Sequence, residues 1–251
     1  MDSAARVDAI VARLREAGEA TVADLAERTG YSEAAIRADL ARLSAAGVLR
    51  WAGGSAGLVP RDREPPFAVR ERRATAAKRR IAAAVGGLVH DGHTVALDSG
   101  TTAAAVAREL ADRSVTVMPL SLQAASALSA SPHTRLVLPG GDVRPGELSL
   151  TGPLTEAGLG AVRFDTAVLG CCGLSVPDGV TARDLGEVAV KRAAMRSARR
   201  VVMAADSSKL GQVTMGHVGP IDQVDTLVTD TDAPDDIVTE IQASGVAVLR
   251  V

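Results

Sequence analysis

Five residues, Asp98-Ser99-Gly100-Thr101-Thr102, stand between the apolar run TVAL and the alanine-rich stretch AAAVAREL. Three hydroxyls and a carboxylate around one glycine suit the capture of an anion. Gly100 lets the backbone approach a ligand closely, and the first amides of the helix expected to follow are unpaired and positively polarised. Other apolar runs end in residues of similar kind: Pro139-Gly140-Gly141 after one, Gly170-Cys171-Cys172-Gly173 after another, and Lys209 in AADSSKLG past a third. Lysine occurs only at positions 78, 191 and 209, every other Lys/Arg position being arginine. Lys209 is therefore a candidate point charge for a phosphate, or a contact to a sugar hydroxyl. Lys191, four residues after Glu187, reads as a surface i,i+4 pair.

Other chemistries fit less well. Cys171 and Cys172 are the only cysteines; adjacent cysteines rarely form a disulfide and, with no His or Cys nearby, make a poor metal site. They read as small buried thiols. His90, His93, His133 and His217 lack metal-ligand spacing. Neither a metal nor a cofactor is expected.

The elements that must position these residues alternate. Helical periodicity spans 74–89, with Ile81, Val85 and Leu88 as its apolar stripe, followed by strand 94–98, helix 101–112, strand 115–120, helix 122–129 and strand 134–139. A glycine-rich irregular section occupies 140–160. Strand 166–171, helix 184–199, strands 200–205 and 225–229, helix 234–244 and strand 246–250 complete the chain. Strands alternating with helices predict a doubly wound, mostly parallel α/β sheet whose ligands bind at the carboxyl ends of strands.

The first 57 residues have another character. Val7, Ile10, Val11 and Leu14 share a helical face that closes at Gly18; Thr21, with Asp24 three residues on, starts a second helix ending at Gly30; Ser32 caps a third. In that third helix Ile36, Leu40 and Leu43 face inward, and Glu33, Ala34, Arg37, Ala38 and Ala41 face out. VLRWAGGSAGLV predicts two short strands around Gly53-Gly54. Together these describe a winged helix-turn-helix. The domains expected are 1–57, a linker over 58–75 rich in proline and charge, and an α/β domain over 76–251. Net charge is −2, yet residues 61–80 hold an excess of arginine, which fits a solvated face or a phosphate-contacting segment equally well. Charged residues or glycine interrupt every apolar run, and no signal-peptide pattern opens the chain. A cytoplasmic protein with no membrane partner is the expectation.

Over nearly its full length the chain resembles DeoR-family transcriptional regulators. The resemblance rests on SEAAIRADLARLSAAGVLRWAGGS, on the run from Phe67 through Arg70 and Lys78, and then on LDSGTT, LPGGDVRPGELSLTGP, FDTAVLGCCGLSVPDGVT and VVMAADSSKLG, in that order. It implies a DNA-binding domain joined to a sensor domain related in fold to ribose-5-phosphate isomerase. The implied partners are a double-stranded DNA operator, a phosphorylated sugar effector and further copies of the chain, as dimer or tetramer. The implied function is repression of carbohydrate metabolism genes. By the resemblance Asp98, Ser99, Gly100, Thr101, Thr102, Gly173 and Lys209 line the effector pocket, and the other strand ends add Gly140, Gly141 and Cys172 as expected contacts. DNA contacts fall on Ser32, Glu33, Arg37, Arg42, Arg50 and Trp51. Ala35, Ala38 and Ala52 stand where the family often has Thr, Arg and His, which shifts DNA affinity toward the arginines, and Pro119-Leu120 replaces a common Thr-Asn.

The alternative is a sugar-phosphate isomerase or deaminase with an appended helical domain. Aldose–ketose isomerisation needs a carboxylate to move a proton between carbons. Related isomerases carry acids in the loop where this chain has Cys171-Cys172-Gly173, and a buried thiol is a poor substitute. Binding without turnover is the expectation.

Overall fold

In the computed structural model, which describes residues 3–45, 49–58 and 65–251, the apolar periodicities resolve into two units, Met1–Arg73 and Ala74–Val251. The first contains α1 (Ser3–Ala17), β1 (Glu19–Thr21), α2 (Val22–Thr29), α3 (Glu33–Ala45), β2 (Leu49–Ala52), β3 (Ser55–Leu58) and α4 (Phe67–Glu71). Its caps follow from its sequence. Thr21 accepts a hydrogen bond from the Asp24 amide, and Gly30 closes α2 in the left-handed conformation. Ile10, Leu14, Leu25, Ile36, Leu40 and Leu49, each at most 2% exposed, form one core. The wing turns at Gly53-Gly54, whose φ angles of 63° and 84° match the primed turns that join twisted strands. β1, not foreseen from sequence, pairs with β3 to make a three-stranded sheet in the order β1-β3-β2. Within the expected linker, residues 65–75 carry α4, and residues 59–64, including Pro60 and Arg61, lie outside the described residues.

The second unit contains α5 (Thr75–Leu88), β4 (Thr94–Leu97), α6 (Gly100–Leu110), β5 (Thr116–Pro119), α7 (Leu122–Leu128), β6 (Arg135–Leu136), β7 (Asp142–Val143), β8 (Leu150–Thr151) and α8 (Pro153–Gly160). It continues with β9 (Thr166–Leu169), β10 (Gly173–Ser175), β11 (Gly179–Ala182), α9 (Leu185–Ser197), β12 (Val201–Ala204), β13 (Gly216–Gly219), β14 (Thr226–Thr229), α10 (Asp235–Ala243) and β15 (Ala247–Arg250). Seven strands form an all-parallel sheet in the order β15-β14-β12-β9-β4-β5-β6. Its inner strands, β4, β5, β9, β12 and β14, are buried and largely apolar because both faces of the sheet are covered. Ile81, Val85, Val106, Leu110 and Leu128 pack on one face; Leu159, Met203, Val218 and Ile241 belong to the core on the other.

Two expectations change. Strand 134–139 shrinks to Arg135–Leu136, an edge strand cut short by Pro139 and the two glycines after it. The section 140–160 is more regular than expected: it holds the β7–β8 ladder and α8. A second small sheet, β10-β11-β13, lies outside the expected pattern.

Candidate functional site

The winding of the large sheet reverses between β4 and β9. From β4 the chain steps outward through β5 to β6; from β9 it steps the other way through β12 and β14 to β15. Connections leaving β4 and β9 therefore part, the arrangement that in open α/β sheets leaves a crevice beyond the carboxyl ends of the strands. Asp98 and Ser99 leave β4 there, Gly170 and Cys171 leave β9, and Asp206 to Lys209 follow neighbouring β12.

Ser99 occupies the N-cap of α6, with φ −85° and ψ 175°, but its side chain makes no capping bond. Every other described Ser, Thr or Asp at the N-cap of an α-helix does cap. Thr21 accepts from Asp24, Ser32 from the Ala35 amide, Ser121 from the Ala124 amide and Asp184 from the Glu187 amide. Gly100 follows at φ 90°, a conformation that favours glycine. Thr101 is buried; Ser99, Gly100 and Thr102 are half-buried. The first amides of α6 thus lack a side-chain acceptor from the residue placed to supply one.

Asp98 has another task. Its carboxylate, 2% exposed as a residue, accepts the Gly170 amide at 2.7 Å and the ammonium of Lys191. This corrects the reading of Lys191 as a surface residue. Asp98 shares a sheet face with Ala96, whose core includes Val188, Val190 and Ala194 of α9, and Lys191 projects from that helix toward it. Glu187, its expected partner, instead accepts from Arg144 Nη1 at 3.0 Å and Ser149 Oγ at 2.7 Å. Burial works against the Lys191 charge, but Asp98 and then Glu187 hold its ammonium above the ordinary lysine range.

Burial pushes the Cys171 thiol up to about 12; Cys172 adds to the rise, while Lys209 and Lys191 oppose it. The thiol is therefore protonated at neutral pH, and both lysines lie within electrostatic reach of the β9 exit. Lys209 ends a short 3-10 turn, Ser207–Lys209, fixed from beneath: Asp206 accepts from the Ser208 amide at 3.2 Å, and Asp230 from the Ser207 amide at 2.7 Å. The Lys209 side chain is half-buried, and its ammonium has no partner among the described residues.

The remaining glycines answer first to the chain's own packing. A Cβ on Gly141 would lie 2.0 Å from Thr155 Oγ1, and the Gly140 carbonyl accepts that hydroxyl at 2.8 Å. A Cβ on Gly173 would lie 2.2 Å from the Gln212 carbonyl oxygen. Cys172 donates its amide to the Thr181 carbonyl at 2.9 Å, joining the β9 exit to the small sheet.

In the first unit the expected DNA-contacting arginines are exposed and each meets an acid. Arg37 bonds Glu33 at 2.8 Å one turn earlier, Arg42 bonds Asp39 at 2.9 Å, and Arg50 lies 3.6 Å from Glu19. Trp51 is half-buried against the core and registers with the fully buried Ala56. Asp39, which sequence reasoning passed over, is buried and also takes Arg6 at 2.5 Å, tying α1 to α3. The signal available for Lys191 was the scarcity of lysine, and the reading applied it to Lys209 alone.

A family profile for the DeoR-like helix-turn-helix domain matches residues 6–60, and one for the DeoR C terminal sensor domain matches residues 73–231. The glycerol-3-phosphate regulon repressor of Escherichia coli K12 is 29% identical over 235 residues, covering 93% of each chain. The HTH-type transcriptional regulator GlpR of Haloferax volcanii is 30% identical over 96% of this chain and 94% of its own. The transcriptional repressor AccR of Agrobacterium fabrum is 31% identical over 88% and 87%. A ribose 5-phosphate isomerase A from Methanocaldococcus jannaschii aligns in structure over 53% of each chain with 22% identity and a TM-score of 0.40, too slight a likeness to bear on chemistry.

Proposed function

The chain belongs to the DeoR family of DNA-binding transcription regulators, and from that premise we propose that it is a repressor whose operator affinity is set by a phosphorylated sugar or sugar derivative bound in the crevice between β4 and β9. The observation that carries this reading is the uncapped start of α6 at the point where the winding reverses. The amides of the first turn of α6 lie there beside the hydroxyls of Ser99, Thr101 and Thr102, and Lys209, without an ion-pair partner among the described residues, follows neighbouring β12 within electrostatic reach of Cys171, a setting suited to a dianionic phosphate. One relative takes its name from a glycerol-3-phosphate regulon, which agrees with an effector of this class.

Binding without turnover is the second part of the proposal. Proton transfer at carbon needs a base free to accept a proton. Asp98 is committed to Lys191 and Gly170, Glu187 to Arg144 and Ser149, and Cys171 is held protonated. On the DNA side, Arg37 near the start of α3 reads base edges or phosphate, with Arg42, Arg50 and the wing on the backbone. Gly140, Gly141, Cys172 and Gly173 act in this reading by shaping the crevice wall. A second copy engages the neighbouring half-site, since one small helix provides limited affinity.

A thermal-shift screen of the purified protein against phosphorylated sugars tests the effector reading, followed by release of a labelled operator fragment for each hit. A hit whose shift disappears in Lys209→Ala and which alters operator binding is the expected result. Turnover of ribose 5-phosphate or glucosamine 6-phosphate that depends on Lys209 overturns it.

A further inference from the structure

Lys191 sits in α9 with Val188, Val190, Ala193, Ala194 and Met195 buried around it on the helix. An ammonium in such surroundings is costly unless paired, and a methionine of similar length would pack there without that cost. What the ammonium does is specific. It bonds the Asp98 oxygen that also accepts the Gly170 amide. One carboxylate oxygen thus joins the residue after β4, the residue after β9 and the middle of α9. These are the two strands between which the winding reverses. The Asp98 amide still bonds the Val168 carbonyl at 2.9 Å as a regular rung. At the next rung a parallel ladder would carry the Gly170 amide to the Asp98 carbonyl, and the side-chain carboxylate takes it instead. The strands therefore end in a side-chain clasp at the base of the crevice, and Ser99 and the first turn of α6 follow directly from it. The helix that presents Lys191 is itself pinned one turn earlier, where Glu187 takes Arg144 and Ser149.

We propose that Lys191 is a positioning residue of the effector crevice: by holding Asp98 against Gly170 it fixes the amides and hydroxyls of residues 99–102 in an anion-ready arrangement before any ligand arrives. The inference rests on the effector reading above for its functional meaning, but the clasp is testable apart from it. A site ordered in advance binds more tightly because less ordering remains to be done on binding.

The test uses the full-length protein as wild type, Lys191→Met, Lys191→Arg and the double variant Asp98→Asn/Lys191→Met. Should Lys191→Met fail to fold with a bare carboxylate left inside, the double variant, free of both charges, carries the test. Hydrogen exchange read by mass spectrometry is expected to be about 10-fold or more faster across residues 98–104 in the Met-containing variants. Lys191→Arg keeps wild-type protection, and residues 226–250 exchange alike in all four. Equal exchange across 98–104 in every variant, or uniform acceleration through the whole unit, overturns the positioning role. A second arm measures the melting-temperature shift produced by inorganic phosphate. The expected result is a shift in wild type and Lys191→Arg that is lost with methionine at 191. A wild-type shift retained in full by the Met-containing variants sinks the positioning role and leaves the effector reading standing. No shift in wild type, with loop exchange still dependent on Lys191, sinks the effector reading and leaves the clasp.

Discussion

In the DNA-binding unit the Arg37–Glu33 pair lies with its side chains 52% and 50% exposed, whereas in the sensor unit the Lys191–Asp98 side chains are 6% and 3% exposed. The same kind of bond has opposite uses in the two places. An exposed pair is screened by water and salt and is worth little, so a phosphate can replace the carboxylate at small cost. A buried pair cannot be exchanged in this way, because neither charge can return to water without opening the core. The Arg37 guanidinium can thus exchange its partner, while Lys191 is held in place. Under the proposed function this division would suit a regulator that releases DNA reversibly while the β4–β9 exit stays ordered.

The contrast breaks most readily at its buried end. Asp98→Ala leaves the Lys191 ammonium without its partner and the Gly170 amide without its acceptor, and should cost the sensor unit about 3–5 kcal/mol. Urea denaturation followed by a probe in residues 74–251 measures this, and a loss below about 1 kcal/mol would mean the pair behaves like a surface one. Glu33→Ala, its exposed counterpart, should leave folding stability within about 0.5 kcal/mol.

Arg37→Ala carries the next largest effect and touches only function. Operator affinity should fall by about 1–3 kcal/mol, read by fluorescence anisotropy at fixed salt, with no change in the melting of either unit. A melting-temperature loss as large as the affinity loss would make Arg37 a structural residue. Thr21→Ala removes the cap of α2 and should cost the first unit about 1 kcal/mol, leaving residues 74–251 unaffected in the same denaturation experiment. A parallel loss in the sensor unit would show that the two units do not melt independently.

How much of this was legible beforehand depended on whether a residue's role was local. Caps and turns were readable because their partners lie three or four residues away: Thr21 with Asp24, Gly30 closing α2, Gly53-Gly54 turning the wing. The alternation of apolar strands with helices specified the parallel sheet for a similar reason. Lys191 was misread because its local neighbour, Glu187, offered a sufficient partner at i−4, while the real one lies 93 residues away across the sheet. Asp39, bonded to Arg6 at a separation of 33, escaped notice in the same way. The ladder β7–β8 lacked signal because two-residue strands show no period, and β10, β11 and β13 because their glycine-containing segments GLS, GVTA and GHVG form no apolar run. In the loop at residues 98–102 the residue types pointed to an anion, but not to the division of labour within it. Asp98 is turned inward as a clasp, and Ser99 leaves its helix uncapped.

The finest test of the contrast is Glu33→Gln. The substitution keeps length and hydrogen-bonding capacity but removes the charge that Arg37 meets at 2.8 Å. If the pair is a reserve from which the guanidinium is drawn by DNA, wild-type binding includes the small cost of parting the two, and the glutamine variant does not. A carboxylate at the start of α3 also repels the phosphate backbone. Both effects favour the variant, so its affinity for non-specific duplex should rise by about two- to five-fold at low salt. Screening weakens each of them, so the gain should shrink as salt approaches about 0.5 M. Discrimination between operator and non-specific duplex should stay unchanged, since the relief applies equally to any sequence. Affinity for the operator that falls instead, with non-specific binding unchanged, would mean that Glu33 reads a base itself, as a carboxylate accepting from a cytosine amino group does. The exposed pair would then be part of the recognition surface and not a store of charge.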